Sequence, residues 1–199
     1  MKVMLGTRNN GKIIEMQRLL APLGLELENQ TDTTIPSPVE DGATFVENAL
    51  IKARAVSLAA AMPAIADDSG LVVPALSGRP GIYSSRFAHS EATDEENNRE
   101  LISQLAGHES RAAYFFCCMV FLNQAQDPTP IIAYGQWWGE ILLEPKGDGG
   151  FGYDPLFFVA SENRSAAELP ATIKNELSHR GQASAHLVSQ LSASLNLNA

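Results

Sequence analysis

Two adjacent aspartates after a short apolar run restrict the fold of this chain more than any other feature. The run is Ala64–Ala66, the carboxylates are Asp67 and Asp68, and Ser69-Gly70 follows them. The apolar run predicts a buried strand, and burying charge without a partner is costly. Mg²⁺ is a suitable partner, because it takes one or two carboxylates and completes its shell with water and substrate phosphates. We therefore expect the strand to end at a Ser-Gly turn that carries the chemistry, with phosphate, metal and base contacts around it.

The size of the chain favours one domain. Its 199 residues, 45% of them hydrophobic, are enough for one substantial core and predict a single domain over residues 1–199. No apolar run reaches the ~18 residues of a membrane-spanning helix. Cys117 and Cys118 are adjacent, so on a strand they would point to opposite faces and would not form a mutual disulfide. Reduced cysteines predict a cytoplasmic protein.

The net charge of −9 limits the partners of the chain. A general nucleic-acid-binding protein needs a basic face, so this class is disfavoured. A nucleoside triphosphate would be repelled by the overall field and would need concentrated local positive charge. Because the chain has only five lysines, the position of each one is informative.

Strand and helix signals alternate along the chain and predict an α/β or α+β fold. A loop is expected over 31–42 and an irregular segment over 72–86, which is rich in Gly and Pro. Helices are predicted over Gly11–Leu23, Thr44–Ala61, Thr93–Leu105 and, with breaks near Pro170 and Gly181, Ala166–Leu195. Strands are predicted over Lys2–Leu5, from Leu25, over Ala64–Ala66, Tyr114–Leu122 and Tyr153–Val159. The segment Ile131–Leu143 is predicted to form one or two further strands, with bends at Gly135 and Gly139.

The segment Gly6–Lys12 lies between a predicted strand and a predicted helix. It fits the G-x-x-x-x-G-K part of a P-loop, but Ile13 stands where Ser or Thr would hold Mg²⁺. A Walker A kinase or GTPase site is therefore disfavoured. Free N–H groups at a helix start together with Lys12 would still form a phosphate cradle. A helix cap with a solvated lysine is the alternative for this segment alone.

Three further segments combine charge with glycine or helical spacing. Around the Thr44 helix, Glu40 is expected to reach a metal and Lys52 a phosphate, unless the charges form a solvated helix face. In Gly147–Pro155, Phe151 between two glycines suggests a ring that stacks on a base, although a hairpin with one buried Phe is the alternative. Segment 174–181 offers an Arg donor fork, or simply a helix end that favours cations.

Six motifs in this order closely resemble the Ham1/RdgB family of inosine triphosphate pyrophosphatases, also called non-canonical purine NTP pyrophosphatases or XTP/dITP diphosphatases. The resemblance extends from Val3 to about Ser189. The motifs are Thr7-x-Asn9-x-x-Lys12, the segment from Glu40 to Ala53, Ala66-Asp67-Asp68-Ser69-Gly70-Leu71, Gly81-Ile82-Tyr83-Ser84-x-Arg86, Gly150-Phe151-Gly152-Tyr153-Asp154-Pro155 and Lys174-x-x-x-Ser178-His179-Arg180.

The resemblance implies a fold, an assembly and a reaction. The implied fold is mixed α/β, with an elongated central sheet flanked by helices and two lobes that have the active-site cleft between them. The implied assembly is a homodimer. The implied reaction is Mg²⁺-dependent hydrolysis of ITP, dITP and XTP to the monophosphate and pyrophosphate, which would clear deaminated purine nucleotides from the pool.

The resemblance also assigns roles to residues. Asp68 is implied to be the general base and a metal ligand, with Glu40 as the second metal ligand and Asp67 as a supporting residue. Lys174, His179 and Arg180 are implied to surround the purine 6-oxygen, although Ile173 replaces an acid that relatives commonly have beside the lysine. The candidate substrate contacts are Thr7, Arg8, Asn9, Asn10, Gly11, Lys12, Lys52, Ser69, Phe151, Gly152, Tyr153, Asp154, Lys174, His179 and Arg180, with Arg86 as a further cleft position.

Two alternatives to this activity stay open. One is a related Maf-like pyrophosphatase that acts on other nucleotides, which the Phe151–Asp154 and Ser178–Arg180 motifs disfavour. The other is a nucleotide-binding regulator that does not hydrolyse its ligand. The presence of both Glu40 and Asp68 disfavours it, because a pure binder does not need two such acids.

Overall fold

A seven-stranded sheet with helices is the framework of the computed structural model, which describes residues 1–32 and 34–196. The strand order is β2-β1-β3-β4-β5-β6-β7. The strands are β1 Lys2–Leu5, β2 Glu26–Asn29, β3 Ala64–Val72, β4 Ala112–Leu122, β5 Ile131–Ile141, β6 Phe157–Val159 and β7 Arg164–Ser165. The helices are α1 Asn10–Leu20, α2 Phe45–Ala60, α3 Asp94–Gln104, α4 Ala171–Leu177 and α5 His179–Asn196.

Strand β1 pairs in parallel with both β2 and β3, whereas β6 pairs antiparallel with β5 and β7. The sheet is therefore mixed, which confirms the predicted α/β class. No helix in the described ranges is long and apolar enough to cross a membrane.

The chain divides into two compact units, and each unit is built from separate segments. Unit 1 comprises Met1–Asp68, Cys117–Gly135 and Arg180–Ala199, and unit 2 comprises Ser69–Phe116 and Gln136–His179. The boundaries fall within β3, β4 and β5 and at the first residue of α5. The prediction of a single domain stays a prediction.

Unit 1 has helices on both faces of its strands. Successive strand residues point to opposite faces, so Val3 and Leu5 lie on one face and Met4 on the other. The first face packs against α1 and α5, and the second packs against Val56 of α2. Asp67 and Asp68 also point to opposite faces. Asp67 lies on the face covered by α1 and α5, and Asp68 lies on the face covered by α2.

Unit 2 has its own hydrophobic core. It is formed by residues of β4 and β5 with contributions from the other segments of this unit, namely Leu71, Val73, Leu76, Leu101, Leu105, Ala113, Phe115, Trp137, Ile141, Tyr153, Leu156, Phe157, Val159 and Ala166. Leu101 and Leu105 anchor α3 in this core. Helix α3 begins with a capping box, in which Thr93 and Glu96 satisfy each other's backbone N–H groups.

The prediction that β3 ends at the aspartates is wrong. The strand continues to Val72, so Asp67, Asp68, Ser69 and Gly70 lie inside it and form no turn. Charged residues inside a buried strand are tolerated here because cationic side chains pair with them, as described below. Such long-range pairing is not visible in the local sequence.

Two other element predictions need correction, and a third, one or two strands for β5, is resolved as one strand. Strand β6 begins at Phe157 rather than Tyr153, because Asp154–Leu156 form a 3₁₀ turn that Pro155 favours at its start. Strand β5 is continuous from Ile131 to Ile141, with no break at its glycines. The last helical region is interrupted at Ser178, and α5 continues through Gly181.

Segment 72–86 is also more regular than predicted. It contains two 3₁₀ helices, Pro74–Leu76 and Gly81–Arg86. The second one carries Arg86, whose guanidinium lies 5.2 Å from the centroid of the Tyr83 ring. The resemblance places Arg86 in a cleft, and this position stays a prediction.

Candidate active site

Two side chains of α2 hold the carboxylate of Asp68. Asn48 donates from Nδ2 to Oδ2 at 3.2 Å, and Lys52 donates from Nζ to Oδ1 at 3.0 Å. The two residues are one helical turn apart and share a face of α2, as their spacing predicts. Burial raises the pKa of Asp68 above its ordinary value, although Lys52 acts in the opposite direction. Asp68 is thus an oriented carboxylate whose affinity for a proton is increased.

Lys52 also connects Asp68 with Glu40. Its Nζ donates to Oε2 of Glu40 at 2.9 Å. Burial on its own would lower the pKa of Lys52, but the nearby carboxylates, foremost Asp68, outweigh it and the pKa is raised. Lys52 is therefore an ammonium ion at neutral pH, and two carboxylates from different segments of unit 1 converge on it.

The pair Glu40 and Asp68 fits the oxygen ligands that Mg²⁺ prefers. No group of three or more His, Cys, Asp and Glu side chains suited to a metal occurs within residues 1–32 and 34–196. Mg²⁺ does not require such a group, since it is usually bound through one or two carboxylates with water and substrate phosphates. The two carboxylates already approach one cationic nitrogen, so they are arranged to share a positive charge.

Asp67 lies in a second group of charges, in which Asp67 and Arg180 are buried and Lys12 and Glu15 are partly buried. Lys12 donates from Nζ to its Oδ2 at 2.8 Å, and Nε of Arg180 lies 3.6 Å from the same oxygen. The guanidinium of Arg180 also pairs with Glu15 of α1. Burial would raise the pKa of Asp67, but Lys12 and Arg180 outweigh it and hold the pKa well below its usual range. Asp67 therefore supports Lys12 and Arg180 as a permanent anion.

The segment between β1 and α1 is shaped by its own side chains. Asn9 caps the helix, because its Oδ1 accepts from the N–H of Lys12 at 3.1 Å. Thr7 accepts from the N–H of Asn9 at 3.2 Å. The N–H groups of Asn10 and Gly11 precede the first hydrogen bond within the helix and have no acceptor inside it. The helix-cap alternative and the phosphate cradle are thus compatible, since the cap organises the helix start that a phosphate would use.

Arg8 and Ser69 complete the candidate contacts of the first half of the chain. The guanidinium of Arg8 donates to the carbonyl oxygen of Ile35, which ties this loop to the segment before Glu40. Ser69 follows Asp68 inside β3 and is half-buried. Substrate contacts of both residues stay predictions.

In unit 2, Asp154 organises the glycine-rich loop around Phe151. Its Oδ2 accepts from the N–H of Phe151 at 2.8 Å and from Nζ of Lys174 at 2.6 Å. Gly150 and Gly152 have positive φ angles of 75° and 63°, and a Cβ on Gly150 would lie 2.1 Å from Oδ2 of Asp154. Glycine is therefore required at position 150 on both conformational and steric grounds.

Phe151 is 39% exposed, unlike most aromatic residues of unit 2. Nζ of Lys174 lies 5.2 Å from the centroid of this ring. Asp154 supplies the acid that Ile173 does not provide beside Lys174, so the ammonium is held through a residue from another segment. An exposed ring beside a fixed cation is a suitable surface for a purine.

Tyr153 and His179 are less accessible than the resemblance suggests. Tyr153 is buried in the core of unit 2, and its hydroxyl donates to the carbonyl oxygen of Ser84 at 2.8 Å. The ring of His179 stacks on Phe115 with a centroid distance of 4.8 Å. Both side chains support unit 2, and their substrate contacts stay predictions.

The structure also shows residues that the sequence analysis left out of the site, beginning with a partner of Arg180. Arg180 is 2% exposed and lies in unit 1 with Asp67 and Glu15. Glu15 was not among the candidates, although its position one turn after Lys12 places both on one face of α1. Asn48 was not among the candidates either, although it lies one turn before Lys52 on the same face of α2. The position of Arg180 at the purine 6-oxygen stays a prediction.

Relatives named dITP/XTP pyrophosphatase resemble nearly the whole chain. A protein from Nitrosomonas europaea named dITP/XTP pyrophosphatase is 50% identical over 191 residues, which cover 96% of this chain and 94% of the relative. A protein of the same name from Escherichia coli strain K12 is 50% identical over 184 residues, which cover 92% and 93% of the two chains.

A solved structure and a family model agree with these relatives. A HAM1 protein from Coxiella burnetii superposes with a TM-score of 0.91 at 44% identity, covering 97% of this chain and 99% of that one. The Ham1 family model matches residues 3–190. The family predicted from six motifs is thereby confirmed, and the chain belongs to the Ham1 family.

Proposed function

We propose that this chain hydrolyses the non-canonical purine nucleoside triphosphates dITP, ITP and XTP to the nucleoside monophosphate and pyrophosphate. Relatives that are 50% identical over almost the full length carry the name dITP/XTP pyrophosphatase. The observation within the molecule that carries the proposal is Asp68. A buried carboxylate with a raised pKa, held on both oxygens by Asn48 and Lys52, is suited to general-base chemistry.

The triphosphate binds through cations and helix N–H groups of unit 1. The start of α1 offers the N–H groups of Asn10 and Gly11, and a phosphate is stabilised by such groups together with the helix dipole. Lys12 and Lys52 supply positive charge, although both are paired with carboxylates. These two lysines provide the local attraction that a chain of net charge −9 needs for an anionic substrate.

Asp68 accepts a proton from the attacking water. The water oxygen bonds to the α-phosphorus in line with the leaving oxygen, and pyrophosphate departs. Asn48 and Lys52 fix the carboxylate, so its orientation does not need to be established during the reaction. General-base assistance of this kind contributes ~10²–10⁴-fold to the rate.

Glu40 and Asp68 are the residues that would hold Mg²⁺. When bound, the ion neutralises charge on the phosphate oxygens. Support for this assignment is the convergence of both carboxylates on Lys52.

Base selection rests on unit 2. Phe151 stacks on the purine, and Lys174 donates to the 6-oxygen of hypoxanthine or xanthine. Adenine has an amino group at this position, so two donors would face each other and no hydrogen bond would form between the base and Lys174. Sites that recognise a ligand through such polar pairs reject analogues that cannot form them. Guanine also has a 6-oxygen, so a contact at the 2-position is needed to exclude GTP.

One assay tests the proposal and both alternatives. The protein is incubated with Mg²⁺ and ITP, XTP, dITP, ATP, GTP or dTTP, and pyrophosphate and orthophosphate are measured separately. Pyrophosphate release confined to the 6-oxo purines supports the proposal. A preference for dTTP or another pyrimidine indicates a Maf-like enzyme, binding without turnover indicates a regulator, and orthophosphate as the direct product indicates cleavage at the γ-phosphate.

The predicted homodimer and cytoplasmic location belong to the same proposal. The family resemblance supports the homodimer, and two free, buried cysteines are compatible with a reducing compartment. Analytical ultracentrifugation gives the assembly directly: a mass of two chains is expected, and a single-chain mass at micromolar concentration overturns the homodimer.

A further inference from the structure

Every backbone hydrogen-bonding group of Phe151 and Gly152 has a partner, although neither residue is in a helix or strand. The N–H of Phe151 donates to Oδ2 of Asp154, and its carbonyl oxygen accepts from the N–H of Asp154 at 3.3 Å. The N–H of Gly152 donates to Oδ2 of Asp94 at 2.6 Å, and its carbonyl oxygen accepts from Nδ2 of Asn98 at 3.0 Å. Two of these four bonds therefore come from α3.

Asp94 and Asn98 are one helical turn apart and share a face of α3. They bind the donor and the acceptor of the same residue, Gly152, and this arrangement fixes both the position and the orientation of its backbone. Asn98 is buried, whereas Asp94 lies in the exposed first turn. We refer to Asp94 and Asn98 together as the α3 clamp.

Helix α3 is a rigid support for this contact. Leu101 and Leu105 anchor it in the core of unit 2. Asn97 fixes its other side, since its Oδ1 accepts from the N–H of Ala88 at 2.9 Å and its Nδ2 donates to the carbonyl oxygen of Ser85 at 3.2 Å. The neighbouring amides of Asn97 and Asn98 thus hold different segments, and only Asn98 binds the loop.

We propose that Asp94 and Asn98 are positioning residues for nucleobase recognition, which act by fixing the ring of Phe151 beside Lys174. This inference rests on the proposed function, in which Phe151 stacks on the purine. Gly152 has a positive φ of 63° and belongs to a glycine-rich loop that has many other backbone conformations available. The α3 clamp selects one of these conformations before the nucleotide binds. The loop therefore loses little conformational entropy on binding, and the binding free energy is not reduced by ordering it.

The principal experiment measures kcat and KM for ITP in Asp94→Ala, Asn98→Ala and Phe151→Ala. Removing one base–aromatic stack costs roughly 1–3 kcal/mol, which corresponds to about a 5- to 150-fold loss of kcat/KM in Phe151→Ala. The clamp variants are expected to lose about 3- to 30-fold, mainly through a higher KM, because they loosen the ring without removing it. Asp94→Asn, whose amide oxygen still accepts from Gly152, is expected to recover most of this loss.

Glu95→Ala is the matched control for Asp94→Ala. It removes the same charge from the first turn of α3 but lies at an exposed position next to Asp94. Its kcat/KM is expected to stay within about twofold of wild type. An equal loss in Glu95→Ala and Asp94→Ala overturns the proposal, since the effect then belongs to the charge at the helix start.

A double-mutant cycle separates positioning from general damage to unit 2. If the α3 clamp acts through Phe151, Asp94→Ala costs less than about twofold when Phe151 is already alanine. Full additivity overturns the proposal. Binding of inorganic tripolyphosphate, measured by calorimetry, is expected to be unchanged in the clamp variants because this ligand has no base, and a parallel loss of its affinity also overturns the proposal.

The failure of the proposed function gives a different result. In that case the wild-type protein releases no pyrophosphate from ITP. If the wild type is active, Phe151→Ala is impaired and both clamp variants behave like wild type, the proposed function stands and the role of the α3 clamp is wrong.

Discussion

Asp67 and Asp68 are neighbours in the chain, but they bind different lysines. Asp67 accepts from Lys12 of α1 at 2.8 Å, and Asp68 accepts from Lys52 of α2 at 3.0 Å. Their pKa values move in opposite directions, down for Asp67 and up for Asp68. Strand geometry accounts for this division, because adjacent residues of β3 point to opposite faces. Two identical side chains thereby become a permanent anion and a candidate base.

We expect Asp68→Asn to reduce kcat for ITP by at least about 10²-fold, the lower end of what general-base assistance supplies. The amide keeps the size of the side chain, and its oxygen can still accept one hydrogen bond, so the fold is expected to remain. Circular dichroism and urea denaturation check the fold, and pyrophosphate release checks the activity. Activity within tenfold of wild type in a folded Asp68→Asn protein would remove Asp68 from the role of base.

The opposite pKa shifts predict opposite effects of pH on stability. The lowered pKa of Asp67 means that the unfolded chain binds more protons below about pH 4, so this residue makes the free energy of unfolding rise with pH in that range. The raised pKa of Asp68 means that the folded chain binds more protons above about pH 4, so this residue makes stability fall as pH increases there.

Urea denaturation between pH 3 and 7 in the presence of a chelator measures both effects. Relative to wild type, the free energy of unfolding of Asp67→Asn is expected to rise less steeply with pH below about pH 4. The free energy of unfolding of Asp68→Asn is expected to fall less steeply with pH above about pH 4. Changes of the same sign in the two variants would contradict the assignment of the two charge environments.

The sequence was sufficient for features that depend on local spacing. The shared face of Asn48 and Lys52, the cap at Thr44 and the start of α3 all follow from residues within one or two helical turns. The order of the six motifs was also sufficient for the family. Local spacing cannot show which cations reach a buried carboxylate, so β3 was predicted to end where its charges begin.

The remaining features depend on residues that are distant in the chain. Glu15 and Arg180 are 165 positions apart, and Lys174 and Asp154 are 20 apart. Because Ile173 is not an acid, the sequence suggested that Lys174 lacks an ion-pair partner. The fold supplies that partner, Asp154, from a different element. Only the packing of each unit determines such pairs, so they could not be read from periodicity or composition.

Glu40→Gln is expected to raise the Mg²⁺ concentration for half-maximal activity about tenfold or more, because an amide oxygen is a weaker ligand than a carboxylate for a hard cation. A magnesium titration of ITP hydrolysis measures this concentration. Asp41→Asn is the matched control, since it removes one charge from the neighbouring exposed position. Equal shifts in both variants would indicate a general electrostatic effect and would contradict Glu40 as a ligand.

Lys174→Met is expected to narrow the preference for ITP over ATP by roughly tenfold or more. The ammonium is the donor that the 6-oxygen of ITP uses, and its loss leaves that oxygen unpaired while removing the group that disfavours adenine. The ratio of kcat/KM values for ITP and ATP is the measurement. Lys146→Met, an exposed lysine of the same unit, is the control. An unchanged ratio in Lys174→Met would exclude this lysine from base selection.

Arg180→Met is expected to destabilise the protein by about 3–5 kcal/mol, the usual cost of breaking a buried ion pair by removing one partner. Arg180 is almost completely buried, and its loss leaves Glu15 without its cation and Asp67 with Lys12 as its remaining ion-pair partner. The double variant Glu15→Gln/Arg180→Met is expected to be more stable than Arg180→Met alone, because the isolated carboxylate is removed.

Arg54→Met, a control at an exposed position in α2, should change the free energy of unfolding by less than about 0.5 kcal/mol. Urea denaturation at pH 7 compares the three proteins with wild type. A double variant less stable than Arg180→Met would show that Glu15 stabilises unit 1 independently of Arg180.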